Sequence, residues 1–487
     1  MYRPRRILAP FRSPYGYDVL VEIGKLRYLK HYQRSEIQKH LQERGVCIPL
    51  RTISDKSVDF LVRLTAVHIE SLENIGALLR QRGGYVLHID ATGTKGTPMV
   101  LLMKDGWSGI RLLSASISTE GAEYIQPHLQ TLSRYLGNPL VAVRDMGPGM
   151  EAALRDAFPG LYIVTCHYHF LKAVGQILFD PVYPRFRNSV DRRGVKKKLR
   201  ALQKLLHHRA VSSDDERRTA AELIDYVLQF PKDGNGLGYP FSLPAVDFYQ
   251  RCDETRGRVR TTILDRAQGN RCSPLLVRLE EILNLLNPPP VVLGRIRVQF
   301  LSLNERWRWF ERIRRALRYR NGPIPLSTDT KLSEKELEKG RQKLDQVREH
   351  IRQFVDSGAV DKQSCELRKA LRKVAKRIDE RRDELFAPNI SVKTGDRLVT
   401  RRVPRTNTPI EKDFRYLRRH GRRIQGNSDV EQMVQREGVG MLIAMNLENR
   451  AYVRAVYGTL DHMPERFAQV SEEVIVTAKL LMGISVR

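Results

Sequence analysis

The sequence predicts a mixed α/β core, preceded by a helical region and interrupted by a long all-helical stretch. Three observations predict it. Tyr85-Val86-Leu87-His88-Ile89-Asp90 is a run of apolar β-formers closed by a carboxylate, and Leu140-Val141-Ala142-Val143-Arg144-Asp145 repeats the grammar. Between and after these runs, strand and helix patterns alternate. From about 180 to 400 the strand period disappears, and charged helical patterns take over.

Taken in order, residues 1–15 read as an irregular basic arm. Residues 17–80 carry helical periodicity. Within them, residues 34–45 form a capped helix ending at Gly45, a turn passes through Pro49, and a new helix starts at Arg51. A helix, a short turn and a second helix with basic and polar residues at its start make a helix-turn-helix pattern. Ordinary helix pairs in bundles share it. Strands follow near 85–90, 98–103 and 110–117, joined by short Gly-containing connections and therefore antiparallel. Next come a helix over about 120–136, a strand at 140–145, a helix at 149–157, a strand at 161–165 and a helix through about 178. Strands separated by helices are expected to be parallel. Three antiparallel strands followed by α-β-α-β-α is the order of the ribonuclease H-like fold, with a mixed five-stranded sheet. Residues 334–386 read as a helical hairpin laced with i,i+4 opposite charges. Beyond 405 come further helices, one apolar near 438–448. The expected divisions are 1–80, 81–180, the helical insertion 181–400, and 401–487.

Composition narrows the partners. The chain has 487 residues, 84 Lys plus Arg against 55 Asp plus Glu, and a net charge of +29. That balance points to a polyanion, nucleic acid first and an anionic membrane surface as its rival. No apolar stretch reaches 18 residues, so no spanning helix is expected, and the basic N-terminus lacks the apolar run of a secretion signal. Five scattered cysteines suit a reducing compartment rather than a disulfide framework.

Asp90 and Asp145, at two strand ends, offer hard oxygen ligands for a divalent cation with room left for substrate phosphates. Asp also ends strands simply as a turn residue. A site that works on a phosphodiester needs about one more carboxylate. Glu411 and Glu431 compete for that place. Asp429 and Glu431 together suit a helix start for dipole reasons alone. Glu411 follows a Thr406-Asn407 turn, and Arg415, Arg418, Arg419 and Arg422 fall on one helical face beyond it, where a DNA backbone would continue. Glu411 is therefore the expected third ligand. Cys166 and His169 raise a zinc reading but lack two further ligands, and packing beneath the site is the expected role. His88 is expected to be a plain strand histidine. The run from Gly93 to Gly96 is a hairpin turn rather than a phosphate-binding loop, with Lys95 near enough to Asp90 to meet a phosphate. Trp307 and Trp309, interleaved with Arg, suit either base stacking or a helical core.

Asp90 and Asp145 at strand ends, Cys166-His167-Tyr168-His169, a helical insertion, and Thr406-Asn407 ahead of Glu411 and a basic helix together resemble the DDE transposases of the Mutator-like and related bacterial insertion-sequence groups. The resemblance covers roughly 85–180 and 400–430. It implies a catalytic and metal-binding triad of Asp90, Asp145 and Glu411 holding two Mg²⁺ ions, with Mn²⁺ as a possible substitute. It also implies cleavage and strand transfer at the ends of a mobile element. The partners it implies are double-stranded DNA, as terminal repeats and target, and a second copy of the chain in a dimer or higher oligomer on that DNA, within a prokaryotic cytoplasm at the nucleoid. Arg51, Thr52 and Lys56 at the second helix start are the expected base- and phosphate-contacting residues. A silent DNA-binding regulator, or a nuclease of this fold without strand transfer, are the alternatives.

Overall fold

A computed structural model describes the chain except residues 1–8, 11–12, 94–96, 209–214, 230–237, 269–272, 287–293, 319–331, 359–361, 427–429 and 485–487. The chain divides into two compact units. The first comprises residues 1–169, 326–338 and 383–487, and the second 170–325 and 339–382.

The first unit opens with α1 (Tyr17–Tyr28), α2 (Arg34–Gln42), α3 (Leu50–Glu70) and α4 (Leu72–Gln81). α3 runs far beyond a short recognition helix. Its Phe60, Leu61, Leu64 and Val67 recur at helical spacing and are wholly buried, so the second half of the helix belongs to the core. β1 (Val86–Thr92), β2 (Met99–Asp105) and β3 (Arg111–Ile117) follow, then α5 (Ala122–Leu136), β4 (Val141–Arg144), α6 (Pro148–Ala157), β5 (Ile163–Thr165) and α7 (His167–Phe179). The sheet order is β3-β2-β1-β4-β5. β1 pairs antiparallel with β2, and β2 with β3. β1 with β4, and β4 with β5, are parallel. The expected strands and their directions are therefore present. One face of the sheet packs into a large apolar cluster that includes Leu87, Ile89, Leu129 and Leu154. Much later residues join it: Ile410, Phe414, Leu442 and Tyr452.

The second unit is helical: α7 from Phe170 onward, α8 (Tyr183–Arg192), α9 (Val195–His208), α10 (Asp215–Leu228), α11 (Pro244–Gln268), α12 (Pro274–Asn284), α13 (Arg295–Ala316), α14 (Glu334–Asp356) from Lys339 onward, and α15 (Lys362–Arg381). α14 and α15 form the expected hairpin, tied by Arg348 and Arg352 to Asp379 and by Arg382 to Asp345. Trp309 packs on Phe354, and Trp307 on Phe179 and Phe310, so both rings serve this unit's interior.

The expectation of an all-helical stretch to residue 400 needs correction. β6 (Ile390–Thr394) and β7 (Arg397–Arg401) make an antiparallel hairpin. Its Gly395 takes φ +59°, a left-handed turn conformation that glycine adopts freely. The chain then enters α16 (Thr408–Gln425), α17 (Val430–Glu437), α18 (Met441–Ala444), α19 (Arg450–Val456), α20 (Met463–Gln469) and α21 (Glu472–Met482).

Candidate functional site

Parallel pairing of β1 with β4 aligns Val86 with Val141, Leu87 with Ala142 and His88 with Val143. Two residues further along β1 stands Asp90, and two residues beyond Val143, just past the end of β4, stands Asp145. The two carboxylates lie close enough for the charge of Asp145 to act on Asp90. Asp90 is only 5% exposed. Its Oδ1 accepts a 2.9 Å hydrogen bond from the Ala91 N–H. Its Oδ2 is buried and has no hydrogen-bond partner among the described residues. Asp145 Oδ1 accepts from the Gly147 N–H at 2.9 Å. Burial, then the charges of Asp145 and Glu411, and more weakly Glu120, push the Asp90 carboxyl well above its ordinary range.

Asn407 carries the third carboxylate to this place. Its Nδ2 donates to the Ile89 carbonyl at 2.8 Å, so its Oδ1 is free to accept from His88 Nδ1 at 2.9 Å. Its backbone N–H donates to Cys166 Sγ at 3.2 Å. Two residues within β1 and the residue after β5 thereby grip the residue that begins α16, and Glu411 lies one turn inside that helix. His88 is thus more than a strand histidine: it fixes the asparagine that aims the helix. Burial lowers its pKa to about 4, so the ring is neutral and its Nδ1 carries the proton that the Asn407 bond requires. Gly106 makes room for it, since a Cβ there would stand 2.4 Å from His88 Nε2.

Cys166 and His169 sit beneath and beside the carboxylates. Cys166 is buried, and burial raises its thiol to about 12. It is a sulfur acceptor for Asn407 and not a thiolate. His169 Nε2 faces Glu411 Oε1 at 3.8 Å. Further along α16, Asp413 accepts from Lys104 at 2.8 Å and from Arg111 at 2.7 and 2.9 Å, a buried triad that locks the second turn onto β2 and β3. Behind Asp145, the fully buried Arg144 pairs with Glu151 and Glu384, and Thr165 donates to Glu384.

One carboxylate escaped the sequence reading. Glu120 follows β3, and its pKa is raised by burial and by Asp145. A Cβ at Gly147 would stand 3.1 Å from Asp145 Oδ1 and 3.4 Å from Glu120 Oε2, so the two carboxylates border the same space. A Cβ at Gly149 would meet the Glu120 carbonyl at 2.1 Å. The Gly147-Pro148-Gly149 run therefore lets α6 pack against the residue 120 turn, and that glycine pattern is the one signal that could have revealed it.

Among the described residues, no three His, Cys, Asp or Glu side chains form a closed metal-ligand group. Mg²⁺ does not demand one, because it takes one or two carboxylates and completes its octahedron with water and phosphate oxygens. The residues fit such an ion: the donors are all carboxylate oxygens, and among the described residues the buried Asp90 Oδ2 finds no hydrogen-bond donor of the kind its burial calls for.

Of the expected DNA contacts, Arg51 is exposed and Thr52 half-buried in the first turn of α3. Lys56 is half-buried and 3.6 Å from Asp59. Lys95 lies outside the described residues, as does the side chain of Glu431. α16 continues through Gly421, with Arg415, Arg419 and Arg422 exposed and Arg418 half-buried. No protein-family model and no curated protein matches the chain.

Proposed function

We propose that this chain is a metal-dependent DNA transposase with a ribonuclease H-like core. The carrying observation is Asp90 in β1 and Asp145 just past the end of the neighbouring parallel strand β4, with the Asp90 Oδ2 buried and without a hydrogen-bond partner among the described residues. The sheet order with its antiparallel-then-parallel pairing supports the fold assignment.

In this reading Asp90 and Asp145 hold the cations, Glu411 closes the site from α16, and Glu120 borders it from the turn after β3. Bound Mg²⁺ ions would supply Lewis acidity to the scissile phosphate and a lowered pKa to the attacking hydroxyl. The chain's own work is positioning. Asn407, His88 and Cys166 set the direction of α16. His169 orients Glu411. Arg415, Arg419 and Arg422 offer guanidinium groups to phosphates beyond the cut. Membership of the Mutator-like and related insertion-sequence groups, a prokaryotic cytoplasmic setting and assembly of two or more copies on DNA belong to the same proposal.

The test is nicking of a duplex carrying the element's end, in Mg²⁺, by wild type, Asp145→Asn and Glu120→Gln. Asp145→Asn should lose cleavage by at least a thousandfold and still bind the duplex; Glu120→Gln should retain partial cleavage. Cleavage by Asp145→Asn at the wild-type rate would sink the proposal. Joining of the cut 3′ end to a second duplex separates a transposase from a nuclease of this fold.

A further inference from the structure

The positive charge of the chain is concentrated in one place. The second unit holds 44 Lys and Arg against 23 Asp and Glu, a net +21, and leaves +8 for the unit that carries the sheet. Within it, two helices repeat one arrangement. On α15, Lys369, Lys373 and Arg377 fall at i, i+4 and i+8, and they line a groove of about 610 Å³ with Arg185 of α8. On α9, Lys196, Arg200 and Lys204 fall at the same spacing and line a groove of about 520 Å³. Four residues of helix rise about 6 Å, so each stripe sets three cations along about 12 Å.

Both stripes lie opposite an apolar face that fixes them outward. Leu367, Leu371, Val374 and Ile378 are buried beneath the α15 stripe, and Val195, Leu199 and Leu202 beneath the α9 stripe. Lys369, Lys373, Arg185, Arg200 and Lys204 are exposed. Cations outnumber the acids in both grooves: Asp180 and Glu366 line the first beside Arg185, Lys369, Lys373 and Arg377, and Asp191 lines the second beside Lys196, Lys197, Arg200 and Lys204. Arg377 is 3.9 Å from Glu380, and neither Lys369 nor Lys373 is paired with a carboxylate among the described residues. Stretches of evenly spaced cations that outnumber nearby acids in concave surfaces cost self-repulsion and are relieved by a rod of evenly spaced anions.

We propose that the helical unit is a phosphate-backbone clamp: the grooves under α15 and α9 grip duplex DNA without reading its sequence. The inference deepens the proposed function by assigning a partner to the helical insertion, and rests on that reading only for the identity of the polyanion. The concave setting favours a rod-like duplex over a flat membrane.

The full chain is titrated onto a labelled random-sequence duplex at several salt concentrations. Lys369→Gln/Lys373→Gln/Arg377→Gln is compared with Lys196→Gln/Arg200→Gln/Lys204→Gln and with a control triple of equal charge loss in the other unit, Lys393→Gln/Arg397→Gln/Arg450→Gln. Each groove triple should weaken binding at least tenfold near 0.1 M salt and lower the salt slope by about 2 to 3, while the control leaves the slope nearly unchanged. Equal slopes for groove and control variants would overturn the proposal, because net charge alone would then explain binding. Groove variants that bind the duplex normally but lose phosphatidylserine vesicles would overturn it in favour of a membrane. An Asp145→Asn protein that cleaves normally leaves the clamp standing and removes only the catalytic reading.

Discussion

Asn407→Ala is the sharpest probe of how the site is built. The side chain is fully buried and makes two hydrogen bonds, to His88 Nδ1 and the Ile89 carbonyl. Alanine leaves the His88 N–H and that carbonyl without these partners in a space too closed for easy repair. Each such group costs about 1–3 kcal/mol, so a loss of about 3 kcal/mol is expected. The chain has three tryptophans, Trp107, Trp307 and Trp309. With the last two replaced by Phe, Trp107 fluorescence follows guanidinium unfolding of the sheet-bearing unit alone. His88→Ala and the double variant complete a cycle, whose coupling should reach at least about 1 kcal/mol. Duplex binding should survive while Mg²⁺-dependent cleavage falls with the displaced Glu411. A loss under about 0.5 kcal/mol, with additive His88 and Asn407 effects, would refute the reasoning.

Two further outcomes follow from buried polar groups. Asp413→Ala strands Lys104 and Arg111 as unpaired buried cations and should cost about 3–5 kcal/mol, read by the same fluorescence; a neutral effect would mean water already reaches them. His68, hydrogen-bonded to the Leu112 carbonyl and Tyr452, has its pKa lowered by burial to about 4 from 6.5. The unfolded chain therefore takes up that proton first as pH falls. The stability His68 supplies is whole above pH 6.5 and drains toward pH 4 by about 1.4 kcal/mol per unit. His68→Gln should lessen the slope of stability against pH in that window by one proton, and an unchanged slope would count against it.

The strands were legible because each is a short apolar run of β-formers, and those before Asp90 and Asp145 are closed by a carboxylate, a pattern local to six or seven residues. Asp90 and Asp145 were legible for the same reason. The hairpin at 390–401 was written as Ile390-Ser391-Val392-Lys393-Thr394 around Gly395-Asp396, an alternating pattern with a turn signal, but the charged helical stretch before it masked the change of period. The partner of His88 lies 319 residues away, and no local pattern announces such a bond. Glu120 sits in a Ser118-Thr119-Glu120-Gly121 turn that looks like any other. Only the packing of α6 through Gly149 puts it beside Asp145. The boundary of the helical unit was hidden similarly: Tyr162 and Thr165 reach Asp383 and Glu384, which draws that segment back to the sheet.

The grip of Asn407 on β1 also sets a clock. On the ribosome, Asp145 emerges 266 residues before Glu411, an interval of roughly 10–50 s at ordinary elongation rates. Until then the sheet has neither its last carboxylate nor Ile410, Phe414, Leu442 and Tyr452 to close its apolar face. A nascent or prematurely terminated chain therefore carries the entire helical unit before it has Glu411 or the apolar residues that cover the sheet.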